Sequence, residues 1–263
     1  MSVPVSTITT AKSALAPLVG IQLDILRLPR QALAGFEPSQ VGTIVGTLVD
    51  ACVPALEKIY PKLIDLGLRK APGILGDRKG YPDFEHSSGA RLELKMLYVD
   101  PVDVKMKTPP TPREPSARIT QKVTVKNVDA TRDLLFLLAY QLRVHPDDQD
   151  MLSPSFVDVG LFPMIECVKA RDHRLIESGG LWFGDYETPA ILSANGRMKK
   201  SRGDVLQQEY GRKESEGKDY NEDTNFGKLK RIPYKPLQSF LKHHGCDYMT
   251  RGTYPAVWSL STR

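Results

Sequence analysis

One stretch of the chain, Arg91 to Val99, alternates apolar and polar side chains with the period of two that a β-strand requires. Its two faces carry Leu92, Leu94 and Met96 on one side, and Arg91, Glu93, Lys95 and Leu97 on the other. Residues 86–90 are turn-forming, and Gly89 among them can adopt a positive φ. Residues 80–85 form a second short strand-like run. The pattern therefore predicts a β-hairpin that ends in the alternating strand.

The first part of the chain has a helical pattern instead. Residues 38–66 place apolar side chains at i, i+3 and i+4 spacing, which predicts an amphipathic helix. Pro54 should kink or restart this helix, and Gly67 should end it. Residues 1–37 are broadly helical with prolines between, so we expect short helices there that serve packing or dimer contacts.

Further elements follow the hairpin. Residues 118–126 alternate and predict a strand, whereas the apolar run 133–142 predicts a buried helix. Residues 154–170 predict one or two further strands, 234–241 a short helix, and 254–260 a final strand. Together these elements predict an α/β fold with a mixed central β-sheet flanked by helices and with a C-terminal helix and strand added.

Between these elements lie two polar segments. Residues 100–117 are rich in proline and predict an extended loop. Residues 195–231 contain ten basic and seven acidic residues with few apolar side chains, which predicts a long basic loop region. Its strongest basic cluster spans 195–202.

The composition limits the class of protein. A chain of 263 residues is long enough for a large core, and we expect a single domain over 1–263. The net charge of +5 suits a polyanionic partner. The cysteines Cys52, Cys167 and Cys246 are widely spaced and favour a reducing, cytoplasmic setting. No apolar run reaches the roughly 18 residues that a membrane span needs, and no signal peptide is recognisable.

The candidate chemistry lies on the predicted hairpin. An acidic residue followed two positions later by lysine occurs four times in the chain, but only Glu93-Leu94-Lys95 lies in a long alternating strand with Pro82-Asp83 at hairpin distance before it. Asp83 and Glu93 should therefore converge, with Lys95 beside them. Two converging carboxylates can hold Mg²⁺, and a lysine beside them can stabilise phosphate charge or help the attacking water.

Pro82-Asp83 with Glu93-Leu94-Lys95 resembles the signature of the PD-(D/E)XK nucleases, and the type II restriction endonucleases are the most similar members. The resemblance implies a restriction-endonuclease-like fold, of prokaryotic origin, and hydrolysis of double-stranded DNA at a short specific sequence to leave 5′-phosphates. It implies that Asp83, Glu93 and Lys95 are catalytic and that Asp83, Glu93 and the Leu94 carbonyl bind Mg²⁺.

The resemblance also implies a further carboxylate on the helix before the hairpin. Asp50 is the first choice because it lies in the most apolar portion of the helix, where burying a charged side chain is costly unless it has a partner or a role. Glu57 is the second choice. A duplex site cut on both strands would suit a homodimer. Five residues of the basic cluster could contact DNA: Asn195, Arg197, Lys199, Lys200 and Arg202.

Three alternatives stay open. The hairpin could be an exposed turn with a surface Glu–Lys pair. The chain could be a repair nuclease or junction resolvase of the same fold, which recognises DNA structure instead of sequence. It could also be a basic DNA-binding protein without catalysis. Sequence motifs for nucleotide binding, serine hydrolysis, zinc proteolysis or dinucleotide binding are absent.

Overall fold

The computed structural model describes residues 2–36, 38–72, 80–99, 106, 117–119, 123–177 and 227–246. The chain divides into two compact units. The first unit comprises Met1–Ala117 and Thr131–Pro163, and the second comprises Arg118–Ala130 and Met164–Arg263. The predicted hairpin and both candidate helix acids belong to the first unit. The basic cluster 195–202 lies outside the described residues.

The first unit contains a six-stranded mixed β-sheet with helices. Its strands are β1 (Leu28–Pro29), β2 (Leu68–Lys70), β3 (Phe84–His86), β4 (Arg91–Tyr98), β5 (Asp133–His145) and β6 (Asp148–Pro163). Its α-helices are α1 (Val5–Leu15), α2 (Arg30–Leu33), α3 (Pro38–Cys52) and α4 (Leu56–Ile59). Two short 3₁₀ helices cover Ala16–Leu18 and Val53–Ala55. The predicted mixed α/β class is thus confirmed.

The strands lie in the order β1-β6-β5-β4-β3-β2. Strands β4 and β5 are parallel, with Leu94 opposite Phe136, and the other neighbouring pairs are antiparallel. A parallel pair needs a long crossover, which the chain makes between Tyr98 and Asp133. Strand β4 therefore lies inside the sheet, with β3 on one side and β5 on the other.

The predicted hairpin is confirmed as β3 and β4, although β3 covers Phe84–His86 instead of the predicted 80–85. His86 accepts a hydrogen bond at its carbonyl from the Gly89 amide at 2.9 Å, and Gly89 has a φ of 86°. Such a φ strains most residues that have a Cβ, so this turn favours glycine. The side-chain alternation is also as predicted, because Leu92 and Leu94 are buried in the main core.

Helix α3 confirms the predicted amphipathic pattern. Val41, Val45 and Val49 are buried. Two glycines of α3 face the sheet closely: a Cβ on Gly42 would lie 3.3 Å from the Tyr140 hydroxyl, and one on Gly46 would lie 3.3 Å from Met96. The helix can therefore pack directly on β4 and β5, which brings its C-terminal end to the hairpin. The helical segment ends at Ile59, earlier than the predicted Gly67.

The prediction of a buried helix over 133–142 is wrong, because these residues form the first ten residues of β5. Leu134 to Tyr140 are completely buried, on both faces of the strand. A strand buried on both faces has a continuous apolar run, which periodicity cannot distinguish from a buried helix. Residues 164–170, predicted to be strand, belong instead to the helix that begins at Met164.

The second unit is mainly helical where it is described. It contains α5 (Met164–Glu177), a 3₁₀ helix (Leu229–Arg231) and α6 (Lys235–His243). Helix α6 confirms the predicted short helix, with Leu237 and Leu241 buried. Of the predicted strand 118–126, the described residues form one bridge, between Arg118 and Lys228, and a turn at 125–127. The predicted final strand 254–260 lies outside the described residues.

Two further findings concern the whole of the described chain. Cys52, Cys167 and Cys246 are free thiols. Within the described ranges, none of the helices has both the length and the apolar character needed to cross a membrane.

Candidate active site

Strand β4 presents Glu93 and Lys95 on the same face, as the alternation requires. The Lys95 Nζ donates a hydrogen bond to Glu93 Oε1 at 2.6 Å. Both side chains are largely enclosed, with 8 % of Glu93 and 19 % of Lys95 exposed. The alternative of a solvent-exposed hairpin with a surface Glu–Lys pair is therefore wrong, since this ion pair lies inside the protein.

Asp83 joins this pair through the backbone of β4. Its Oδ2 accepts a hydrogen bond from the Leu94 amide at 2.7 Å, and the Leu94 carbonyl accepts one from Lys95 Nζ at 3.1 Å. The structure thus brings together Asp83, Glu93, Leu94 and Lys95, as the sequence predicts.

Pro82 explains why the Leu94 carbonyl has no backbone amide of this segment as its partner. Phe84 lies opposite Leu92 in the β3–β4 ladder, so the next hydrogen-bonding position along it would set Pro82 opposite Leu94. Proline has no backbone N–H and cannot donate to the Leu94 carbonyl. A backbone hydrogen bond still joins the Asp83 amide to the Leu92 carbonyl at 3.0 Å; beyond it, the Asp83 carboxylate accepts from the Leu94 amide and Lys95 Nζ donates to the Leu94 carbonyl.

These oxygens fit a hard divalent cation such as Mg²⁺, which proteins commonly bind through one or two carboxylates and several waters. The fit rests on Glu93 Oε2, which is buried and accepts no hydrogen bond from any described residue. A buried carboxylate oxygen without a donor is costly unless a cation satisfies it. Within the described ranges no group of three or more His, Cys, Asp or Glu side chains forms a ready-made metal cage, so Leu94 and waters would complete the coordination.

The electrostatics of the site are tightly coupled. Burial raises the pKa of Asp83, against the attraction of Lys95. Burial also raises the pKa of Glu93, and the negative charge of Asp83 adds to this effect. For Lys95, burial lowers the pKa, but the attraction of Glu93 and Asp83 outweighs burial and leaves the pKa raised. The site therefore holds a protonated lysine beside two carboxylates that gain from a further positive charge.

Asp50, at the C-terminal end of α3, lies within electrostatic reach of this group. Its charge raises the pKa of both Asp83 and Lys95. Its carboxylate is ion-paired with Lys70 of β2, and both side chains are about half exposed. Glu57 lies in α4. Of the two candidate helix acids, Asp50 is therefore the one that the described structure couples to the site.

Sequence patterns did not single out Lys70. Its Nζ lies 4.9 Å from the centre of the Phe84 ring, and its charge lowers the pKa of Asp83 and Glu93. The sequence feature that could have identified Lys70 is its position, because it is one of the basic residues just before the hairpin. Sequence patterns also missed a buried group formed by Tyr81, Arg91 and Asp133 beside the site.

The candidate DNA contacts Asn195, Arg197, Lys199, Lys200 and Arg202 lie outside the described residues and stay predictions. Comparisons with protein-family models, with curated proteins and with solved structures each found no match to this chain.

Proposed function

We propose that this chain is a Mg²⁺-dependent endonuclease that hydrolyses phosphodiester bonds in double-stranded DNA, in the manner of a type II restriction enzyme. One observation carries the proposal: Asp83, Glu93 and Lys95 converge in an enclosed site around the backbone of Leu94. The mixed sheet, with β4 between an antiparallel and a parallel neighbour, supports it as a suitable frame.

Each residue has a distinct role in this proposal. Asp83, Glu93 and the Leu94 carbonyl would hold Mg²⁺, which when bound polarises a phosphoryl oxygen and acidifies a water. Asp83 is oriented by the Leu94 amide at 2.7 Å, and Glu93 by Lys95 at 2.6 Å. Lys95 has a raised pKa and keeps its proton, so it is suited to stabilise the negative charge that develops on phosphorus.

The proposed reaction is a hydrolysis by in-line attack. The water oxygen forms a bond to phosphorus while the bond from phosphorus to the 3′ oxygen breaks. The attacking water loses one proton and the 3′ oxygen takes one up, so the products are a 3′-hydroxyl and a 5′-phosphate. Cutting both strands of a symmetric site would need two copies of this single hairpin, so the proposal includes a homodimer.

The test uses three variants and one matched control. Asp83→Asn, Glu93→Gln and Lys95→Ala are incubated with plasmid and phage DNA in Mg²⁺, and initial rates of cleavage are measured. We expect losses of about 10²-fold or more, because each change removes a charge from the site. Glu85→Gln is the control, since Glu85 lies on β3 of the same hairpin and is paired with Arg69 at 2.8 Å.

The outcomes separate the alternatives. Discrete fragments from linear DNA indicate sequence-specific cutting, whereas cutting confined to branched or damaged DNA indicates a repair nuclease or resolvase. DNA binding without metal-dependent cleavage indicates a non-catalytic binding protein. Full activity in all three site variants would contradict the assignment of the site.

A further inference from the structure

A buried polar group lies beside the candidate site and connects three segments of the first unit. Asp133 begins β5 and lies directly opposite Arg91, which begins β4. Arg91 Nε and Nη2 donate to the two carboxylate oxygens of Asp133 at 2.5 and 2.6 Å. The Tyr81 hydroxyl donates to Asp133 Oδ2 at 2.6 Å. The Asp133 carboxylate thus ties the starts of two strands to the segment that precedes Asp83.

This group is deeply enclosed, because 8 % of Arg91, 1 % of Asp133 and 2 % of Tyr81 is exposed. Enclosed ion pairs often add little stability compared with apolar side chains of the same volume. What such a pair does provide is a fixed geometry, since the two-point contact between guanidinium and carboxylate permits little rotation. What this fixed geometry holds in place therefore follows from which residues lie next to the group in the sheet.

The group is adjacent to both proposed metal ligands. Arg91 is two residues before Glu93 on the same strand, so the two side chains project from the same face. Tyr81 is two residues before Asp83. Burial raises the pKa of Tyr81, and the charges of Asp133 and Glu93 add to this effect, so Glu93 lies within electrostatic reach of the phenol.

We propose that Tyr81, Arg91 and Asp133 form a positioning network that holds Asp83 and Glu93 at the spacing needed to bind one divalent cation. The inference rests on the proposed function. It assigns no contact with DNA to the three residues, which act through the two carboxylates. Mg²⁺ demands nearly ideal octahedral geometry, so a small displacement of either carboxylate weakens its binding.

The chain offers a matched control for this network. The Tyr60 hydroxyl also donates its proton to an aspartate, at 2.6 Å to Asp24 Oδ1, and the Gln22 carbonyl lies 2.9 Å from the same hydroxyl. Tyr60→Phe and Tyr81→Phe therefore both remove a phenol-to-carboxylate hydrogen bond and keep the ring. Both should lower Tm, whereas only Tyr81→Phe removes a contact beside the proposed site.

The experiment measures binding of Mn²⁺ alone to each full-length protein, from the EPR signal of the free ion, well below each Tm. We expect Tyr81→Phe to raise the Kd for Mn²⁺ about tenfold, as is typical when a residue that orients a metal ligand is lost, and Tyr60→Phe to leave it unchanged. Arg91→Lys, which keeps the charge but loses the two-point contact, should act in the same direction.

Cleavage kinetics give a second measure. Tyr81→Phe should lower kcat about 10-fold or more and leave KM for DNA within about twofold of the wild-type value. Equal Kd values for Mn²⁺ in wild type, Tyr60→Phe and Tyr81→Phe would overturn the positioning role while leaving the nuclease proposal intact. A wild type that binds Mn²⁺ more tightly than Tyr81→Phe but cuts no DNA would overturn the nuclease proposal alone.

Discussion

Among single residues, Asp50 has the role that one substitution can test most directly. Its charge acts on Asp83 and Lys95, whereas Glu57 lies in the following helix. We expect Asp50→Asn to lower the rate of cleavage about 10-fold or more at limiting Mg²⁺, and Glu57→Gln to leave it within about twofold. The measurement is the initial rate as a function of Mg²⁺ concentration.

A measurement of Tm distinguishes a direct effect of Asp50→Asn on cleavage from a loss of folded protein. Asp50 is paired with Lys70, and both side chains are about half exposed. Such a pair contributes less than about 1 kcal/mol to the free energy of unfolding, so Asp50→Asn should change Tm only slightly. A larger loss of activity in Glu57→Gln than in Asp50→Asn would contradict the choice of Asp50.

The sequence identifies the residues of the site far better than their mutual contacts. Asp83, Glu93 and Lys95 are recognisable because strand alternation and hairpin distance are local properties of the chain. The coupling of Asp50 to them depends on how α3 packs on β4, and the contact between Asp133 and Arg91 joins residues 42 positions apart. Contacts at such a separation leave no periodic signal in the sequence.

At the scale of elements, the turn between β3 and β4 should make folding sensitive to pH. His86 ends β3 and is buried; its Nδ1 accepts a hydrogen bond from the Ser88 amide at 3.0 Å. Burial lowers the pKa of His86 below its ordinary value of 6.5. The folded protein therefore prefers the neutral imidazole, and the unfolded chain binds the extra proton more readily.

The sign of the effect follows from this difference in proton binding. The contribution of His86 to the free energy of unfolding is fully present above pH about 6.5. It is lost as the pH drops from there through the lowered pKa of the folded state. We expect a lower midpoint of urea unfolding at pH 5.5 than at pH 7.5. His86→Asn keeps an acceptor for the turn and cannot titrate, so its midpoint should change less over this interval. An equal change in both proteins would assign the pH dependence to other groups.

The elements also differ in how far the sequence determines them. Strand β4 alternates charged and apolar side chains although both of its faces are enclosed, and α3 has one buried face, so their periods of 2 and 3.6 residues are visible and were predicted correctly. Strand β5 is buried on both faces and has no polar side to mark its period. Its helical interpretation was wrong because only the neighbouring strands β4 and β6 decide its conformation.

At the scale of the whole molecule, the net charge of +5 is the property that most directly concerns a DNA partner. A protein that neutralises phosphates releases counterions, so its affinity falls with salt in proportion to the number of contacts. Net charge alone does not specify where those contacts are. The cluster at 195–202 is the predicted location, and the test must separate its contribution from that of positive charge in general.

Two variants of equal net charge make this separation. The first replaces four basic residues of the cluster with glutamine: Arg197, Lys199, Lys200 and Arg202. The second replaces four exposed basic residues of the described first unit: Lys12, Arg30, Lys58 and Lys62. Each variant loses four positive charges relative to its parent protein, so any effect of total charge on DNA binding is the same in both.

The measured quantity is the slope of log affinity against log salt for duplex DNA, in a Glu93→Gln background that prevents cleavage. If each cluster residue neutralises one phosphate, the slope of the first variant becomes shallower by up to about 3.6, at about 0.9 per contact. The second variant should keep nearly the full slope. Equal slopes in the two variants would show that the cluster makes no particular contact. We also expect the four cluster substitutions, made without Glu93→Gln because Glu93 is a proposed metal ligand, to leave Mn²⁺ binding as tight as in the wild type, since none of the four replaced residues belongs to the proposed metal site. Loss of DNA affinity without loss of metal affinity would then assign DNA contact and catalysis to different parts of the chain.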